Sequence, residues 1–229
     1  MRRGLAAALV AIAWIGLCAI AAAAPFGVQL GPDRVVLDTP PGFSDTAAYG
    51  SPRLTELAEN LAEASSRVLV FALSDADARR FAAGDSLELR RYLLAVTPRA
   101  KERERIDGAQ FAKLVEEVER NSDAGFTSPE DYRIYLQGRP PAQAHLLQKL
   151  LQGPQTISLL YGTMVPQPRT NFWQEQKPAV FKLSTTTLAL IGGRAVYLSA
   201  YSAYDSPADV FWIRSVTDTW LEQLQRLNK

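Results

Sequence analysis

Toward the carboxyl end, Val210, Phe211, Ile213, Val216, Trp220, Leu221, Leu224 and Leu227 recur at three- and four-residue intervals. That spacing puts them on one stripe of an α-helix and obliges the rest of the chain to supply an apolar surface for the stripe to cover. The helix start is equally marked. Ser206 can cap it, Pro207 takes the first helical position, and Asp209 stands where a capping box wants an acceptor. At roughly 1.5–3 kcal/mol per large side chain buried, this face outweighs a typical domain's net stability before entropy is subtracted. The helix is therefore expected to be structural, and truncating it should unfold the protein.

The surface to be covered reads as a sheet. Residues 156–164 and 179–191 are β-rich, and Gly192-Gly193 makes a tight turn into Val196-Tyr197-Leu198-Ser199-Ala200-Tyr201, which predicts a hairpin. Further upstream, Arg34-Val35-Val36-Leu37-Asp38 predicts a strand halted by Pro40-Pro41-Gly42. Leu54, Leu57, Leu61 and Ala64 predict a helix capped by Ser51 and led by Pro52. The apolar run 68–73 predicts a buried strand, Ser74-Asp75 a short helix ending near Gly84, and 87–96 another strand.

The middle third changes character. Arg99 to Arg105 is a mixed-charge connector, and Asp107 opens a helix through Phe111, Leu114, Val115 and Val118. Ser128-Pro129-Glu130-Asp131 is a second helix start. Leu146, Leu147, Leu150 and Leu151 suggest a third helix, closed by Gly153-Pro154. The expectation is an α+β fold with a largely antiparallel sheet covered by helices, a helical insert over about 107–152 and a long carboxyl-terminal helix.

The other end of the chain speaks of destination. Arg2 and Arg3 precede residues 4–24, which carry no charge and end in four alanines before Pro25. This is the pattern of a secretory signal peptide, with cleavage expected after Ala23, a short tail at 24–33 and a single domain at 34–229. The competing reading is an uncleaved membrane anchor, which the dominance of Ala and Gly disfavours. Leu17 before Cys18 is too bulky for lipoprotein processing, and the twin-arginine motif is matched only in its pair. Cys18 is the only cysteine, so the mature chain can form no disulfide and must rest on its core. The expected product is periplasmic or secreted, without a stable membrane span.

Composition excludes little else. The 25 basic residues fall to 23 when Arg2 and Arg3 are removed, against 24 acidic ones. That balance gives no electrostatic reason to expect nucleic acid as a partner.

The segment Val35-Val36-Leu37-Asp38-Thr39-Pro40-Pro41-Gly42-Phe43, a strand followed by Pro-Gly-aromatic, resembles PsbP-like and DcrB-like exported domains. Those domains also finish with a hairpin and a packed helix, parts that residues 196–204 and 206–227 could play. The resemblance implies a noncatalytic envelope protein, and no functional residue carries over from it.

Residues that could carry chemistry are sparse. His145 is the sole histidine and has no spaced ligand partner, so it reads as a partly exposed helix residue, and no metal or cofactor is expected. No G-x-S-x-G elbow supplies a nucleophile. Gly192-Gly193 lacks the lysine and following helix of a phosphate loop. Aromatics give the only hint of a binding surface. Tyr161, Phe172 and Trp173 flank the loop Val165-Pro166-Gln167-Pro168, and Tyr201 and Tyr204 lie near the second hairpin strand, where Tyr197 shares a face with Tyr201. The reading that follows is a noncatalytic exported protein whose partner is another envelope protein or a small apolar ligand. Its rivals are an unrecognised periplasmic hydrolase and a small-molecule or lipid carrier.

Overall fold

The computed structural model describes residues 24–120, 132–167 and 178–229. In chain order the elements are β1 (Phe26–Leu30), β2 (Asp33–Leu37), β3 (Phe43–Asp45), α1 (Pro52–Leu61), β4 (Ser66–Ser74), α2 (Asp75–Ala82), β5 (Arg91–Pro98), α3 (Gly108–Arg120) and α4 (Tyr132–Gln137). They continue as β6 (Ala144–Gly153), β7 (Thr156–Val165), β8 (Val180–Ile191), β9 (Arg194–Ala203) and α5 (Pro207–Leu227). The strands β3-β4-β5-β9-β8-β7-β6 form one antiparallel sheet, and β1-β2 form a separate hairpin. This is the expected α+β architecture, with the long carboxyl-terminal helix in place.

Side-chain alternation sorts the sheet into two faces. On one, Val196, Leu198 and Ala200 of β9 and Leu183, Ala189 and Ile191 of β8 join a core with Val210, Ile213, Trp220, Leu221 and Leu224 of α5. The β1-β2 hairpin and α4 complete this cover through Leu30, Val35, Leu37, Tyr132 and Leu136. Trp220 is 1% exposed, and its indole N–H donates to the Asp38 carbonyl at 2.8 Å, tying helix to hairpin. Gly162 of β7 leaves the space that the Leu136 and Leu147 side chains fill, since a Cβ there would meet them at 2.7 and 2.9 Å. The opposite face carries two separate clusters. Phe111 and Val115 of α3 pack on Ile157, Leu159 and Leu188. Leu54 and Ala58 of α1, with Ala78 of α2, pack on Phe71, Leu73 and Leu94.

Local signals act largely as read. Gly192 and Gly193 adopt φ of +58° and +77°, the left-handed pair a two-residue hairpin turn requires. Ser74 caps α2, accepting the Asp77 N–H at 3.3 Å. Asp107 and Gln110 cap α3 reciprocally at 2.8 and 2.9 Å. Ser51 holds the cap position of α1, but its side chain makes no capping bond. The helix start at 128–131 lies outside the described residues, as does the leader.

Five expectations need correction. Leu146, Leu147, Leu150 and Leu151 belong to strand β6, so the helical part of the insert ends at Gln137. Register shifts between Leu146/Gln148 and Lys149/Leu151 reset the alternation twice, producing apolar pairs at helix-like spacing. His145 is accordingly a strand residue, with Nε2 3.1 Å from the Pro140 carbonyl and its ring edge-on to Tyr135. The strand predicted over 87–96 begins only at Arg91, because the Asp77 carboxylate takes the N–H groups of Glu88 and Leu89 at 2.8 and 3.2 Å and holds them off the ladder. Phe211 is 61% exposed, and Trp212 turns inward against Phe43 instead. Residues 26–30, within the segment read as a tail, form β1.

Candidate functional site

Between the two clusters of the second face the sheet is left partly open, and the cause lies in residue size. Tyr92 of β5 faces Tyr201 of β9, which faces Ser184 of β8, which faces Tyr161 of β7. Four residues along the strands, Val96, Tyr197 and Leu188 form a second row. The row between them is Leu94, Ser199 and Thr186. A row of tyrosines on one side and Tyr197 between Val96 and Leu188 on the other enclose the short hydroxyl side chains and make a furrow across the sheet centre. The segment 61–66, from the end of α1 to the start of β4, supplies the side wall, and the furrow encloses about 360 Å³. That volume lies within the range of small-molecule pockets, ~300–1,000 Å³.

The aromatic wall is built firmly. Tyr92 and Tyr201 stack with centroids 4.4 Å apart at an interplanar angle of 11°, and Phe71 meets Tyr92 edge-on at 6.2 Å. Such pairs gain ~0.5–1.5 kcal/mol beyond the area they bury. Burial raises the pKa of the Tyr201 phenol; a hydrogen bond with Ser199 works against this and the nearby Glu63 charge adds to it. Burial likewise raises Tyr197, assisted by Glu117 and Glu63. Burial, then Tyr201, raises Tyr92. Protonated at neutral pH, these phenols offer hydrogen-bond donors beside a floor of Leu94, Ser199 and Thr186. The two carboxylates add negative charge at the rim, which suits an occupant with an apolar or aromatic body and a donor or cationic end.

The structure divides the residues singled out from the sequence. Tyr161 and Tyr201 come to one face, on the same cross-strand row through Ser184. Tyr204 lies on the opposite side, 3% exposed in the α5 core beneath the Arg133 guanidinium. Phe172 and Trp173 lie outside the described residues. Sequence reasoning missed Tyr92, Glu63, Thr186 and Ser199. Tyr92 carries a readable signal, since it alternates with Leu94 and Val96, but nothing local reveals that β9 pairs with β5. Among the described residues no three His, Cys, Asp or Glu side chains are grouped as a metal site. No described helix is long and apolar enough to cross a membrane.

The sequence matches no protein-family model and no curated protein. Among solved structures the chain is similar to the Ran-binding protein Mog1p of Saccharomyces cerevisiae, with 13% identity and a TM-score of 0.35, over 90% of this chain and 93% of that one. A mutant of protein Mog1 gives the same TM-score and coverage at 14% identity.

Proposed function

We propose that the protein is a noncatalytic binding domain exported to the cell envelope, and that its tyrosine furrow holds an apolar or aromatic group of another envelope component. The observation that carries this reading is the furrow itself: tall phenols enclosing a Ser-Thr floor in the middle of an otherwise covered sheet. Tyrosine suits such a role because it buries large area while keeping a polar tip. Export is supported by Arg2-Arg3 and the uncharged run 4–24.

The test compares wild type with Tyr197→Ala and Tyr201→Ala, each on protein recovered from the envelope. Both substitutions should weaken retention of the native partner while the protein still melts cooperatively. Retention unchanged in both variants would contradict the assignment. Sequencing the recovered amino terminus checks export, for which a start at Ala24 is expected. Turnover on an ester, glycoside or peptide panel would favour a hydrolase, and a co-purifying small apolar molecule lost with Tyr201→Ala would make the furrow a carrier site.

A further inference from the structure

β4 has nine residues, yet β3 meets only its last three: Phe43, Ser44 and Asp45 pair with Ser74, Leu73 and Ala72. Beyond that point the chain leaves the sheet. The Asp45 carboxylate accepts the Ala47 N–H at 3.2 Å and opens a single 3-10 turn over Thr46–Tyr49. No described strand lies alongside residues 66–70 on this side. The edge borders a groove of about 630 Å³ whose far wall is α1, through Thr55, Ala58 and Glu59, and the Ser51 that precedes it. An uncovered strand edge presents backbone donors and acceptors spaced for another strand, and proteins ordinarily cover or blunt such edges.

The groove's charge narrows the occupant. Asp45, Glu59 and Glu63 line it, against Arg67 and Arg99. Arg67 is engaged by Glu102 on the connector after β5. The field facing the edge is therefore acidic. A strand lying there would send alternate side chains toward α1, where lysine or arginine meets the carboxylates while its stem covers Ala58 and Ala62. The β4 register against β5 also shifts between Val68 and Val70. That bulge twists the edge and suits a short strand rather than a long one.

We infer that a short, extended, basic segment of a partner protein adds to the free edge of β4 as a further strand, its cationic side chains pointing at α1. This surface adjoins the tyrosine furrow along residues 62–66 and does not depend on the furrow's being a binding site.

The experiment selects random linear peptides on the full-length protein and counter-selects on Thr55→Trp, which fills the groove from an exposed position on α1. Enriched peptides should alternate apolar and basic residues. Methylating alternate backbone amides of a synthetic copy should weaken binding about tenfold in one register only, because only one set of N–H groups meets the ladder. Binding should slow amide exchange in residues 66–70, survive Tyr201→Ala and fail with Thr55→Trp; Glu59→Trp serves if Thr55→Trp melts early. No enrichment, equal tolerance of methylation in both registers, or dimerisation through this edge in preference to peptide each overturns the inference.

Discussion

One face of the sheet is closed by a 21-residue helix with the β1-β2 hairpin and the short α4 beside it, and the other by short helices that leave the centre between them. The closed face has no tall side chain at its middle. Leu183, Thr185, Leu198 and Ala200 lie flat enough for α5 to settle directly on β8 and β9. The open face carries Tyr197 and Tyr201 on β9 and Tyr161 on β7, and α1 and α3 pack to either side of them. Alternate residues of the same hairpin therefore do different work. One set provides the cohesion of the fold, and the other provides a surface that cohesion can hold in place.

Substitutions that separate these roles test the comparison. The largest effect is expected from Trp220→Ala, which removes a fully buried ring and its bond to Asp38; about 3–5 kcal/mol should be lost in denaturant unfolding. Asp33→Ala should follow at about 3 kcal/mol, because Arg194 is buried with its Nη2 on Asp33 at 2.7 Å and its Nε and Nη1 without a partner among the described residues. If either change left stability intact, the α5 face would not be the stabilising one. On the open face, a double-mutant cycle of Tyr92→Leu and Tyr201→Leu should return a coupling of only ~0.5–1.5 kcal/mol.

The phenols give a pH signature of the same face. Tyr92, Tyr197 and Tyr201 are all raised above the ordinary 10.0, so above that value the unfolded chain sheds protons that the native state keeps. Stability should be whole below the ordinary phenol range and fall as pH climbs through the raised native values. Phenolate absorbance should then rise together with unfolding. A Tyr201→Phe protein should show a weaker alkaline decline, the smallest effect of the set.

These contrasts also mark how far the sequence could be read. The β8-β9 hairpin and α5 were legible because their signals are local: two glycines forcing left-handed φ, and a stripe at helical spacing. β6 was not, because its two register shifts scrambled a period of two into pairs of leucines. The partial strand at 87–96 failed for a nonlocal reason, since Asp77 intercepts the amides that would have extended it. The furrow was half visible. Tyr197 and Tyr201 share a face by parity alone, but Tyr92 and Tyr161 reach that face only through pairings with β5 and β7. Tyr204, only three residues beyond Tyr201, lies in the opposite core and shows what parity alone decides.

The most direct test of the furrow as the binding surface fills it while leaving the closed face untouched. Thr186 sits on its floor, only partly buried, and Thr186→Phe places a ring between the Tyr201 and Tyr197 rows at a strand position that favours aromatics. Native mass spectra of wild type and variant, gently isolated from the envelope, should show an added partner or ligand mass on the wild type alone, at equal melting temperatures. The same added mass on both proteins, or on neither, would contradict the account.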